Sequence, residues 1–215
     1  MMGEPIVLIG GGGHCAACID VIGSGNKFSI AGIVDMKEKR GGKVLGYEIF
    51  ADDADLPALV KDYRNFLITI GQIKSAGRRR DMFHFLKSMG VFLPTIFSPN
   101  AYISQHAEIG EGTIIMHRAT VNAGARIGRN CIVNTSAVVE HNVIIEDHCH
   151  VSTGSIVNGD SRIGEGTFIG SGSVVINRIN IAGGVVIGAG AVVTKPVLPG
   201  GAYAGNPARR MDRNG

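Results

Sequence analysis

His141 and Gly159 stand eighteen residues apart, and their types suit one kind of chemistry. An imidazole titrating near ~6.5 can take a proton from an attacking nucleophile. A backbone N–H with no side chain over it can stabilise the oxyanion of a tetrahedral intermediate. Side by side, the two would serve attack of a protonated nucleophile on a carbonyl-type centre. A second candidate is Gly10-Gly11-Gly12-Gly13-His14, which follows the apolar run 5–9 and precedes helical spacing over 16–22. Free N–H groups at a helix start attract anions, so this turn reads as a phosphate cradle.

The elements that must position these residues divide near residue 95. Residues 1–94 hold seven of the eight leucines, whereas 95–199 hold thirty Ile plus Val with one Leu and one Lys, so two domains are expected, 1–94 and 95–215. In the second, stepping by six from Phe97 through Ile103 to Val193 meets seventeen positions with no polar residue. The column four residues later, from Ala101 to Val197, is small in thirteen of seventeen positions, and both columns should face inward. A six-residue period with glycine corners predicts a hexapeptide parallel β-helix, a triangular prism with eighteen residues per coil. That period sets His141 beside Gly159, one coil apart at roughly 5 Å in backbone terms.

The first domain alternates strands (5–9, 30–34, 66–70) with helices (16–22, 79–89), which argues a parallel α/β sheet of Rossmann-like kind. Ligands of such sheets sit beyond the carboxyl ends of the strands, here Gly10 to His14, Asp35 and Gly71.

Composition narrows the classes. Of 215 residues 45% are hydrophobic and 18% charged, which excludes a disordered chain. The 32 glycines form no G-X-Y run, which excludes collagen. A formal charge of +3, with its basic residues gathered at Lys74, Arg78, Arg79 and Arg80, argues against a nucleic-acid partner, and that cluster reads as a solvated loop and helix start. No apolar run reaches the ~18 residues of a membrane span, and the Met1 to His14 start lacks a signal peptide's basic region, so a cytoplasmic protein is expected. Four cysteines give no disulfide framework. Cys15 and Cys18, and the stacked Cys131 and Cys149, read as packing residues.

The [Ile/Val]-Gly-x4 pattern over 97–197, closed by Gly205-Asn206-Pro207-Ala208-Arg209, resembles the left-handed β-helix acyltransferases that use acetyl-CoA. The start Ile9-Gly10-Gly11-Gly12-Gly13-His14, with Val139-Glu140-His141, narrows the resemblance to sugar N- and O-acetyltransferases that carry a nucleotide-sugar domain in front. Within that group the chain is most similar to GDP-perosamine N-acetyltransferases. The resemblance implies acetyl transfer to the 4-amino group of a nucleotide-linked 4-amino-4,6-dideoxy sugar, without metal, in surface polysaccharide synthesis. It also implies a homotrimer with active sites between subunits.

In residue terms, the resemblance implies His141 as general base and Gly159 as oxyanion donor. It implies Gly11, Gly12, Gly13, His14, Asp35, Met36, Lys37 and Gly71 near the nucleotide sugar. For acetyl-CoA it implies Asn134, His150, Gly159, Ser171, Ala189, Lys195 and Arg209, with Arg210 a further cation near the coenzyme phosphates. Two departures stand out. Several relatives carry an acidic residue after the base; this chain has Asn142, expected at the catalytic centre with His141 and Gly159, where it can hydrogen-bond the imidazole without adding negative charge. The turn Gly71-Gln72-Ile73-Lys74-Ser75-Ala76-Gly77 is about two residues longer than the usual Gly-[Asp/Asn]-Asn.

Other readings stay open on the sequence. Gly11, Gly13 and Ala16 satisfy G-x-G-x-x-A with Asp35 further on, but a six-stranded dinucleotide fold does not fit in 94 residues. His117, His148 and His150 invite a metal, as in β-helix carbonic anhydrases, but the histidine pair five residues apart is missing. A UDP-linked amino sugar, O-acetylation of sialic acid and a non-catalytic β-helix scaffold also remain.

Overall fold

The computed structural model describes residues 3–211. Residues 1–2 and 212–215, with the outer ends of the domains drawn at 1–94 and 95–215 and the Met1 start, lie outside the described residues. The chain opens with β1 (Glu4–Ile9), α1 (Gly13–Gly23) and β2 (Phe28–Val34), followed by β3 (Lys43–Val44), β4 (Tyr47–Ala51), α2 (Leu56–Asp62), β5 (Asn65–Ile68) and α3 (Gly77–Ser88). The sheet order is β3-β4-β2-β1-β5, parallel except for the β3–β4 hairpin. The alternation of strand and helix therefore gives the sheet the sequence predicts, with α1 starting three residues earlier than the apolar spacing marks. The β3–β4 hairpin and α2 are additions: their short, charged stretches carry little apolar periodicity.

From Ile96 onward seventeen two-residue strands wind into three parallel sheets. One sheet, from Ile96–Phe97 to Val186–Ile187, meets the N-terminal domain, and is called the domain face. The next, from Tyr102–Ile103 to Val192–Val193, is the apolar face, and the third, from Glu108–Ile109 to Asn180–Ile181, the charged face. Registers step by eighteen residues throughout, as in Thr120 opposite Val138 and Val138 opposite Ile156. Both inward columns are buried along the body of the prism. Phe97 is the exception at 58% exposed, because no coil lies beneath it at the prism's first turn.

The corners explain the glycines. Every sixth residue from Gly112 to Gly190 has positive φ, glycine at seven of these corners and Arg118, Asn130, Ser136, Asn142, His148, Asp160 and Arg178 at the others. Asn and Asp tolerate this region best among side-chain-bearing residues. The second glycine column serves closeness instead: a Cβ on Gly164 would come within 2.7 Å of the Ala182 carbonyl carbon.

Ile96, Ile114, Met116 and Ile132 of the prism share one apolar cluster with Ile6, Leu8, Ile19 and Leu67. Arg79 pins the junction. Expected in solvent, it is 1% exposed, with Nη1 donating to the Ile68 and Ile70 carbonyls and Nη2 to the Asn130 carbonyl and Oδ1. Four acceptors across two domains offset the cost of burying its charge. No helix among the described residues is long and apolar enough to cross a membrane.

Candidate active site

His141 lies at the edge where the apolar and charged faces meet, between strands Val138–Val139 and Ile144–Ile145. One coil on, at the same edge, is Gly159. The imidazole covers it: a Cβ on Gly159 would overlap the ring, 2.5 Å from Nε2 and 3.0 Å from Nδ1. Gly159 is buried even though the edge is exposed, because the ring is its lid. Its carbonyl accepts from the Arg178 N–H at 3.0 Å, while its own N–H has no partner among the described residues. An unspent N–H on the residue an imidazole covers is the pairing an oxyanion and a proton acceptor require. Lys195 belongs to the same corner column, three coils from His141, and is exposed.

The nucleotide-side residues gather at the carboxyl ends of β1, β2 and β5. The first turn of α1 has Gly12 as N-cap with no side-chain cap; the Cys15 N–H bonds the Gly12 carbonyl, and the Gly13 and His14 N–H groups have no intrahelical partner. A Cβ at Gly12 or Gly13 would meet nothing within 4 Å, leaving an open cradle. Gly11 departs from the expectation, because its N–H is spent on Asp35 Oδ2 at 2.8 Å. Asp35 departs likewise: it is 5% exposed and also accepts from the Met36 N–H and Lys39 Nζ. Burial works against its charge, but these hydrogen bonds win and hold the carboxyl below the usual aspartate range. Asp35 thus braces the turn. Met36 and Lys37, the latter opening a short 3₁₀ turn, are exposed beside it. Gly71 is exposed, and a Cβ there would lie 3.6 Å from His14 Cβ.

His14, half-buried, faces the buried His150, their ring centroids 6.4 Å apart. His150 Nδ1 donates to the Gln72 carbonyl at 2.7 Å, and its Nε2 accepts from Asn134 Nδ2 at 3.1 Å. The Asn134 amide is oriented by the Thr135 N–H on its Oδ1, so the His150 tautomer is fixed. Burial first, then the Arg79 charge, holds His14 down to about 3 and His150 to about 4, so both stay neutral. Cys18 Sγ lies 3.4 Å from His14 Nε2, and burial pushes that thiol up, so the thiol donates and His14 keeps its proton on Nδ1. Sequence reasoning missed Gln72, Arg79 and Cys18 as partners. Only Cys18, four residues from His14 on one helix, carried a spacing signal.

Asn134, Ser171 and Ala189 line the edge between the domain face and the apolar face, with Ser171 and Ala189 exposed. Arg209 lies in the strand Arg209–Arg210, which extends the domain-face sheet. The expected residues therefore fall into two groups. One, at the domain-apolar edge, joins Asn134, Ser171 and Ala189 to the glycine turn through His150. The other, at the apolar-charged edge, holds His141, Gly159 and Lys195. The second edge lies opposite the face that carries the N-terminal domain, so one protomer does not bring the groups together.

His117 bonds Ser98 and Asp20, and His148 bonds Asn130. Among the described residues no group of three or more His, Cys, Asp or Glu is arranged to hold a metal.

Comparison with known proteins adds the family. Residues 5–83 match the PglD N-terminal domain family, and residues 97–199 match the GMPPB C-terminal domain family. No curated protein sequence matched the chain. PerB from Caulobacter crescentus, solved with CoA and GDP-perosamine, is 30% identical over 99% of both chains with a TM-score of 0.90. A perosamine N-acetyltransferase from Caulobacter crescentus, solved with a histidine replaced by asparagine or alanine, is 30% identical over 99% of this chain and 98% of its own with a TM-score of 0.91. The acetyltransferase domain of PglB from Neisseria gonorrhoeae is 28% identical over 97% of this chain and 100% of its own, with a TM-score of 0.88. It has also been solved with acetyl coenzyme A. With identity at this level over both domains, the chain belongs to the acetyl-CoA-dependent sugar N-acetyltransferases built from a Rossmann-like domain and a left-handed β-helix.

Proposed function

We propose that this enzyme moves the acetyl group of acetyl-CoA to the 4-amino group of a nucleotide-linked 4-amino-4,6-dideoxy sugar, GDP-perosamine first, in the cytoplasmic synthesis of a surface polysaccharide such as a lipopolysaccharide O-antigen. The observation that carries the reading is the His141 ring lying against Gly159, whose N–H has no partner among the described residues. The amine nitrogen attacks the thioester carbon and its proton passes to His141. The oxyanion rests on the Gly159 N–H until the carbon–sulfur bond breaks, and the coenzyme sulfur leaves as the thiol with that proton. No acyl-enzyme forms, since all four cysteines are buried.

Residues 1–94 hold the nucleotide sugar at Gly12, Gly13, His14 and Gly71, and residues 95–215 hold acetyl-CoA. The coenzyme runs between Ser171 and Ala189 of one subunit and Gly159 and Lys195 of the next, its phosphates meeting Lys195 and Arg209. This homotrimeric arrangement is supported by the split of the site over two edges. A further support is the face between those edges. Its outward residues are Tyr102, Thr120, Val138, Ile156, Val174 and Val192, against Glu108, Arg126, Ile144, Arg162 and Asn180 on the charged face. An apolar strip flanked by two half-sites suits a rotational ring, in which the first edge of one subunit meets the second edge of its neighbour.

Turnover on GDP-, UDP- and dTDP-linked 4-amino sugars, with thiol release from acetyl-CoA as the readout, tests the assignment. GDP-perosamine is expected to give the highest kcat/KM. A preference for UDP sugars would move the assignment to that class, and transfer to none of them would remove it.

A further inference from the structure

The residue after His141 is not the acid that the family resemblance implies. It is Asn142, at a corner with φ +58°. Its amide is held from one side and faces open backbone on the other. Nδ2 donates to Asp160 Oδ1 at 3.0 Å, from the same corner one coil on. Oδ1 points the other way, toward Gly124, where a Cβ would overlap it. A carboxylate only accepts, so the amide edge toward Asp160 must be the NH₂. Turning the amide over would set two acceptors against each other with no proton between them. Arg178 Nε, 3.8 Å from Asp160 Oδ2, steadies the carboxylate from the far side. The same Asn142 Nδ2 lies 3.5 Å from His141 Nδ1. The group bordering Nδ1 is therefore a donor.

We propose that Asp160 is a positioning residue for acetyl transfer: by fixing the Asn142 amide it holds His141 in the tautomer with its proton on Nε2 and its lone pair on Nδ1. This rests on the acetyl-transfer reading above. A carboxylate at 142 would do the reverse, accepting from Nδ1–H and leaving the lone pair on Nε2. Both ring nitrogens border Gly159, so Nδ1 can face a reacting amine there. The incoming amine displaces the long Asn142 contact. Its proton moves to Nδ1 as the nitrogen bonds the thioester carbon, and the imidazolium returns a proton to the departing coenzyme sulfur.

The test is the ring ¹⁵N spectrum of the full-length, ¹⁵N-histidine-labelled enzyme at pH 8, with His141 assigned by its loss in His141→Gln. The wild type is expected to give the Nε2–H pattern, and Asn142→Asp the inverted Nδ1–H pattern. Asp160→Gly suits the φ of +59° at that corner and removes the grip, so its ring should average between tautomers. Its kcat should fall roughly 3–10-fold with both KM values within about twofold. A wild-type Nδ1–H pattern, or an unchanged Nε2–H pattern in Asp160→Gly, overturns the proposal. The tautomer is read without turnover, so it stands or falls separately from acetyl transfer itself.

Discussion

Gly159→Ala adds a single methyl to the site. Gly159 is not among the positive-φ residues, so alanine fits the backbone at 159. The new Cβ would sit 2.5 Å from His141 Nε2, against an ordinary separation of about 3.5 Å, so the ring must move by about 1 Å. The ring is exposed and free to swing outward, so stability should change by no more than ~0.5 kcal/mol. Catalysis is less forgiving. A misplacement of about 1 Å costs on the order of 10²-fold, equal to ~2.7 kcal/mol of transition-state stabilisation. Steady-state thiol release with acetyl-CoA and GDP-perosamine should therefore show kcat down about 100-fold with both KM values within about threefold. The double variant with His141→Ala should lose little more than either single variant, because both remove one interaction. A Gly159→Ala enzyme with near wild-type kcat would refute the pairing of ring and N–H. A fully additive double variant would show that the two residues act independently.

Other perturbations reach other parts of the account. His141→Ala should lower kcat at least ~10²-fold while leaving nucleotide-sugar affinity, measured by calorimetry, nearly unchanged. Ile156→Glu places a charge in the apolar strip and should convert the oligomer to monomers by light scattering, with loss of activity. Acid should loosen the domain junction. His14 and His150 are held well below the ordinary histidine value by burial and then by Arg79, so the unfolded chain binds their protons first. Their stabilisation is complete above pH ~6.5 and is lost as pH falls toward about 4, by up to ~1.4 kcal/mol per pH unit for each ring. Calorimetric Tm should drop over this window, and His150→Asn should flatten the drop.

The prism was legible in the sequence because a hexad repeats its chemistry seventeen times, so the inward columns declare themselves at any starting point. The same arithmetic brought His141 to Gly159, since eighteen residues make one coil. The positive-φ corners were half visible: glycine marks seven of them, whereas Asn142, Asp160 and their equivalents hide among ordinary polar residues. Arg79 was unreadable because its neighbours Arg78 and Arg80 are solvated, and only the packing of α3 against the prism turns the middle arginine inward. Asp35 was placed correctly at the carboxyl end of β2, but its hydrogen bonds are spent within the turn. The Asp160 contact was open to the eighteen-residue count from Asn142, but nothing in residue type marked it as a partner.

In the proposed arrangement two subunits complete each active site. Co-expression of His141→Ala with Gly13→Asp tests it. The first chain lacks the base, and the second has a carboxylate in the open phosphate cradle, where no neighbour crowds the new side chain. In randomly mixed trimers one interface in four joins an intact His141 to an intact cradle from the neighbouring chain, so acetyl transfer to GDP-perosamine should recover to about a quarter of wild type. Mixed protein as inactive as either variant alone would place the whole site within one chain and contradict the account.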